Sequence, residues 1–188
     1  MRDTLRAWWR ALSGDRVPLD PRLVEFRSAV AAATTGAIDR SVLDTLAGRP
    51  AELGLPEEDV ELELEMLQGA RDLLALEDDV RTQGLPAIAH QHKAIGTERC
   101  HFVASASLVG ADGDRPGRLF LTERRLVFLA TPLVAVTWGG VTRVVDEGRD
   151  LIVAAPARPG GLRFRCNSIS EARCGRWLSD RLRNGSRA

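Results

Sequence analysis

Residues Gly117 to Phe128 read G-R-L-F-L-T-E-R-R-L-V-F, a β-hairpin whose register is written in its residues. With the turn at Thr122–Arg125, Leu121 faces Leu126 and Leu119 faces Phe128, and a tighter turn at Glu123–Arg124 gives the same pairing. One face then carries Leu119, Leu121, Leu126 and Phe128, and a one-residue slip would misalign the whole cluster. Upstream, Cys100, Phe102, Ala104, Ala106 and Leu108 alternate with His101, Val103, Ser105, Ser107 and Val109, a strand pattern, and Ala111–Pro116 is a turn. Downstream, strands are expected at Leu133–Trp138, Val141–Val145, Leu151–Ala155 and Leu162–Cys166. Gly139-Gly140, Asp146–Asp150 and the Pro/Gly-rich Pro156–Gly161 separate them. A helix follows, with Ser168 and Glu171 spaced as a capping box and an apolar face of Ile169, Ala172, Trp177, Leu178 and Leu182. Short strands closed by one helix predict a small, strongly bent β-sandwich or partly open barrel.

Before residue 85 the periodicity is helical. A short helix is expected over residues 3–12 and a second over Asp20–Thr34, with Pro21 in its first turn and Leu23, Phe26 and Val30 on one face. Asp39 can cap a third, carrying Val42, Leu43 and Leu46 and stopped by Gly48 and Pro50; Leu53–Leu55 then links to the next element. Pro56 opens the longest helix, with Glu57, Glu58, Asp59 and Glu61 crowded near its positive end. Its apolar residues spread over two sides, Val60, Leu64, Leu67 and Leu74 on one and Leu62, Met66, Leu73 and Val80 on the other, so it should pack against more than one neighbour. Gly84 and Pro86 end it. The expected fold class is α+β: a helical bundle over residues 1–85, a linker over 86–96 and a β domain over 97–188.

The chain has 188 residues, 44% hydrophobic and 28% charged, enough for one domain plus a helical unit. No apolar run approaches the about 20 residues that a membrane span needs. The N-terminal M-R-D-T-L-R-A-W-W-R-A-L lacks the apolar core and cleavage site of a secretory signal. Three cysteines give no disulfide framework, so a reducing cytoplasm is expected. Lys93 is the only lysine among 26 cationic side chains, a bias expected of a GC-rich bacterial genome. Net charge is zero but unevenly spread. Residues 1–96 hold 11 cations and 17 acids, a net −6, whereas residues 97–188 hold 15 and 9, a net +6. The halves could dock on each other, the basic half could meet an anionic partner, or the charges are simply solvated surface.

The run L-F-L-T-E-R-R-L-V-F, the strand ending in Thr137-Trp138, and the pattern Val141, Val144, Gly148, Leu151, Val153 resemble bacterial pleckstrin-homology-like domains of the GRAM type. The resemblance covers about residues 97–183, and the basic, Trp-bearing final helix is similar to the helix that plugs one end of that barrel. Glu123 departs from the Asn, Asp or Gly more usual in the turn, so the turn is not a tight type I′. The resemblance implies binding rather than catalysis, since pleckstrin-like barrels hold phosphoinositides, proteins or peptides at their loop rims; that is fold-level analogy.

Four candidate sites emerge. Arg124 and Arg125 in the hairpin turn, with Arg163 and Arg165 pointing outward from their strand, form a basic rim suited to phosphate or carboxylate, or else protect exposed strand edges; Arg118 and Arg143 are also available. The N-terminal helix places Trp8 and Trp9 on one side and Arg6 and Arg10 on the other, as in an interfacial membrane anchor or a protein-docking helix. His90, His92, Cys100, His101, Cys166 and Cys174 are suitable zinc ligands at poor spacing, and Cys100 and Cys166 share the faces of core phenylalanines, so no metal or other cofactor is expected. Catalytic motifs are absent: there is no P-loop, no G-x-S-x-G and no H-E-x-x-H. Glu57–Glu65 reads as a solvated face, and Asp112-Gly-Asp114 lacks the acid of a calcium loop. Exposed aromatics for stacking single-stranded nucleic acid are missing too. The expectation is a cytoplasmic, non-catalytic binding or adaptor module that recognises a protein or an anionic headgroup and does not bind nucleic acid. The alternative is a peripheral membrane protein at the inner face of the plasma membrane, binding anionic lipid through the Trp/Arg helix and the arginine rim.

Overall fold

Among the described residues three α-helices precede seven strands, and a fourth follows them. The computed structural model describes residues 20–111 and 113–185; the helix expected over residues 3–12 lies outside them. The elements are α1 (Pro21–Ala33), α2 (Arg40–Leu53), α3 (Glu57–Gln83), β1 (Cys100–Leu108), β2 (Arg115–Thr122), β3 (Arg125–Leu129), β4 (Val134–Thr137), β5 (Arg143–Glu147), β6 (Asp150–Ala155), β7 (Arg158–Cys166) and α4 (Ile169–Gly185).

The helix starts follow local chemistry. The Asp20 carboxylate accepts the Arg22 amide N–H at 2.9 Å ahead of Pro21, and Asp39 accepts that of Ser41 at 2.8 Å. One expected stop is overturned: α2 runs through Gly48 and Pro50 to Leu53 and ends at Gly54, whose φ of 62° is left-handed. Pro50 is buried, and continuing the helix brings Leu53 onto the core of the helical unit. Burial there outweighs the intrinsic cost of the two helix breakers. That core joins Leu23, Phe26 and Val30 of α1, Leu43 of α2, and Val60, Leu67 and Ala70 of α3. Leu62, expected to help form a second apolar side of α3, is instead 57% exposed, whereas Leu73 is buried.

The strands form one antiparallel, open sheet in the order β4-β3-β2-β1-β7-β6-β5. With α4 packed across it, this is the pleckstrin-like α+β architecture. The hairpin register is the one read from the residues: Leu119 pairs with Phe128 and Leu121 with Leu126. All four are fully buried, beside Phe164, whose ring centroid lies 5.2 Å from that of Phe128. A Cβ on Gly117 would collide with the Leu129 carbonyl and the Phe128 ring, so only glycine fits there. No non-glycine described residue has positive φ, so the Glu123–Arg124 turn is not type I′.

Several strand boundaries differ from expectation, most at the starts of β7 and β5. β7 begins at Arg158 rather than Leu162, because Gly160 and Gly161, with φ of 84° and 72°, absorb an irregularity opposite Val153/Ala155 and let pairing continue. β5 begins at Arg143 rather than Val141, because Trp138–Gly140 form a 3₁₀ turn in which Trp138 is buried. The segment expected as a linker packs on the outer face of the sheet. Ile88 bridges to Cys100, and Ile95 joins Cys100, Phe120 and Val127 in a second small core.

α4 joins the two halves. Its Ala172, Leu178 and Leu182 enter the sheet's core, while its N-terminus meets α3. The Ser168 hydroxyl accepts the Glu171 N–H at 3.1 Å, and the Glu171 carboxylate reaches the Asn167 N–H at 2.8 Å, one residue earlier than a capping box requires. Glu65 of α3 accepts the Ile169 N–H at 2.9 Å, and Asp72 accepts the Ser170 hydroxyl at 2.6 Å. Gly69 lets the two backbones approach: a Cβ there would lie 3.1 Å from the Ser170 nitrogen.

Candidate anion-binding site

The four arginines expected to form one rim are not brought together. Cys100 at the start of β1 pairs with Thr122 beside the hairpin turn, whereas Ser107 near its end pairs with Arg165. Seven residues of strand separate the two pairs, roughly 23 Å. Arg163 and Arg165 are also already engaged. Buried Asp150 takes Arg163 at 3.3 Å and Arg165 at 3.1 Å, with Glu147 adding a second contact to Arg163 at 2.9 Å and Asp114 one to Arg165 at 3.7 Å. Arg125 turns away from the hairpin tip onto Glu98 at 2.6 Å and the Ala94 carbonyl at 3.1 Å. Arg124 alone stays open, 75% exposed, with the Glu123 carboxylate no nearer than 3.9 Å. Arg118 lies over the Phe120 ring, its guanidinium carbon 5.5 Å from the centroid. Trp8, Trp9, Arg6 and Arg10 lie outside the described residues.

Arg124 instead borders a cleft of about 750 Å³ shared with Arg99, His101 and Glu123 of the β domain, Arg181 of α4, and Gln83 and Leu85 at the end of α3. Its frame is held by hydrogen bonds. The Arg99 carbonyl accepts the Glu123 N–H at 2.9 Å, and the Arg124 carbonyl accepts that of Trp138 at 3.2 Å. The Trp138 indole N–H donates to the Thr122 carbonyl at 2.8 Å. The Thr122 hydroxyl accepts the Arg125 N–H at 3.1 Å and donates to Glu98 at 2.6 Å. Burial pushes the Glu98 carboxyl upward, but the Thr122 hydroxyl and the Arg125 guanidinium outweigh it and hold the group below the usual glutamate range. His101 donates from Nδ1 to the Pro86 carbonyl at 2.6 Å, the only polarity a carbonyl permits. The Arg181 guanidinium stacks 4.7 Å from the Trp177 ring centroid.

Among the described residues neither Arg99 nor Arg181 has a carboxylate partner. Three arginines and one glutamate among its lining residues give the cleft a formal charge of +2. A second cleft of about 700 Å³, between the α1–α2 loop and α4, also holds two arginines, but Asp146 takes Arg176 at 3.0 Å and Arg173 at 3.7 Å. Arg99 and Arg181 escaped the sequence reading because 25 and 57 positions separate them from Arg124, and no local spacing relates them.

The histidines and cysteines do not converge. Among the described residues no group of three or more His, Cys, Asp or Glu side chains could hold a metal ion. His90 meets the Glu98 carbonyl at 2.9 Å, and the His92 ring accepts the Ala94 N–H at 3.2 Å. Burial pushes the Cys166 thiol up to about 12 and the Cys174 thiol up to about 11, and raises that of Cys100 as well. Among the described residues no helix is long and apolar enough to cross a membrane.

No protein-family model matches the chain, and no curated protein matches it. Solved structures are similar at low identity. The C-terminal domain of an unknown protein from Leishmania infantum is 13% identical, with a TM-score of 0.40, over 48% of this chain and 89% of that one. Inner Membrane Complex Sub-compartment Protein 3 from Toxoplasma gondii is 9% identical, with a TM-score of 0.40, over 46% and 77%. The linker-DH/PH domains of p115-RhoGEF are 13% identical, with a TM-score of 0.39, over 87% of this chain and 55% of that one.

Proposed function

We propose that the chain is a non-catalytic binding and adaptor module, a bacterial cytoplasmic protein with a GRAM-type β domain, that receives an anionic group of its partner in the Arg99–Arg124–Arg181 cleft. The partner is a protein or an anionic headgroup. The carrying observation is that these three arginines line one cleft framed by hydrogen bonds, while Arg125, Arg163 and Arg165 are each paired with a carboxylate of the fold. The predominance of arginine and the three unpaired thiols support the assigned setting.

Affinity capture from lysate of the source organism tests the reading with two baits of equal charge. The bait Arg99→Glu/Arg124→Glu/Arg181→Glu should lose, at low salt, species that Arg115→Glu/Arg143→Glu/Arg158→Glu retains. Identical captures by the two baits would defeat the proposal. Retention by anionic vesicles rather than by proteins would make the partner a headgroup.

A further inference from the structure

The segment that joins the helical unit to the sheet also builds a slot. Residues 88–92 and the outer face of β1, β2 and β3 enclose about 330 Å³, and no residue of this slot lines the arginine cleft. Its apolar walls are Ile88 of the segment, Val103 of β1, Phe120 of β2 and Leu129 of β3. The alternation of the hairpin explains the floor. Leu119, Leu121, Leu126 and Phe128 fill the core, so Arg118, Phe120 and Leu129 take the opposite face. Cross-strand pairing sets Val103 beside Phe120 and Leu129 beside Arg118.

Two polar groups of the slot lack the partners their chemistry calls for. Among the described residues no carboxylate pairs with Arg118, whose guanidinium carbon lies 5.5 Å from the Phe120 ring centroid. His90 donates from Nε2 to the Glu98 carbonyl at 2.9 Å. In the neutral ring Nδ1 is therefore an acceptor, and it is buried without a hydrogen-bond partner. The His90 ring is edge-on to Phe120, with centroids 6.5 Å apart.

From these groups we propose that the slot binds a small aromatic monocarboxylic acid, its ring against Val103, Phe120 and Leu129, its carboxylate on Arg118, and a ring N–H or O–H donating to His90 Nδ1. A different feature carries each part. The apolar walls and the small volume select a compact body of one or two rings. A single unpaired guanidinium presents one planar fork, which matches one carboxylate. The unpartnered acceptor selects a donor on the ring.

Titration calorimetry on the full chain tests this with indole-3-acetate and 4-hydroxybenzoate as probes, and both should bind. Indole, which lacks the carboxylate, and acetate, which lacks the ring, should bind roughly tenfold or more weakly than indole-3-acetate. Arg118→Gln, at an exposed position, should weaken indole-3-acetate by roughly tenfold or more without lowering the melting temperature. Arg143→Gln should leave that affinity unchanged. 1-Naphthaleneacetate has a similar shape and charge but no N–H. It should bind more weakly than indole-3-acetate, and the gap should close in His90→Phe. Backbone amide shifts on adding indole-3-acetate should cluster at residues 88–92 and 118–120.

Binding that requires Arg118 and shifts those amides supports the proposal. No binding of either probe overturns it. Affinity unchanged by Arg118→Gln, or amide shifts centred on Arg99, Arg124 and Arg181, overturns the site and leaves the arginine cleft to be judged by its own experiment. Equal affinity for 1-naphthaleneacetate overturns the His90 contact.

Discussion

Glu65 is the side chain on which the two halves of the molecule meet. It is 19% exposed, holds Arg149 through both carboxylate oxygens at 2.7–3.0 Å, and accepts the Ile169 N–H. Burial pushes its carboxyl upward, but the Arg149 hydrogen bonds, the Ile169 N–H and the Arg149 charge together hold it below the usual glutamate range. A folded-state value lower than the unfolded one contributes stability above the unfolded carboxylate range, and that contribution is lost as pH falls through the folded value. Urea unfolding over a pH series should therefore show wild-type stability falling on acidification from the ordinary glutamate range downward. Glu65→Gln should flatten part of that fall and lower stability near neutrality by about 1–3 kcal/mol. The thiols make a second residue-scale prediction. With Cys166 near 12 and Cys174 near 11, both remain protonated in mildly alkaline buffer. Ellman's reagent should label the native protein slowly and react fast with all three cysteines in denaturant.

Between α3 and α4 a glycine decides how closely the helices approach. Gly69→Val would put atoms where the Ser170 nitrogen and the Ile169 side chain already sit, at 3.1 and 3.2 Å from the first added carbon. It should lower stability by about 1–3 kcal/mol in denaturant titrations. Gly48→Ala, where an added Cβ meets open space, should not destabilise. At the hairpin, Trp138→Phe removes the indole N–H that ties the turn to the Thr122 carbonyl, and should cost about 1–3 kcal/mol at the denaturation midpoint. Elements were legible where their cause was local. The hairpin register, the Asp39 cap and the Ser168 cap each depend on residues within a few positions. They were misread where distant packing decides, as when burial of Pro50 and Leu53 carries α2 past two helix breakers. The cleft was the least legible feature. Of its arginines only Arg124 lies in the hairpin, and the reason Arg163 and Arg165 are unavailable, buried Asp150, gives no sign of its role in the local sequence.

At the scale of the molecule, the opposite charges of the two halves contribute little to their union. Among the described ion pairs only Arg149–Glu65 crosses from the helical unit to the β domain. The seam also has close packing at Gly69, the Ile169–Glu65 and Ser170–Asp72 hydrogen bonds, and Leu76 of α3 packed against the sheet's core. Calorimetry should accordingly give one cooperative transition that moves little with salt, and Glu65→Arg combined with Gly69→Val should split it in two. The seam also bears on the order of synthesis. The Glu65–Ile169 hydrogen bond spans 104 positions, and all seven strands are translated between the two residues. A ribosome thus releases α3 with Glu65, Gly69 and Asp72 still waiting for α4. During that interval the nascent helical unit carries an uncovered face and an unpaired acid, a natural foothold for a chaperone until α4 arrives to close it.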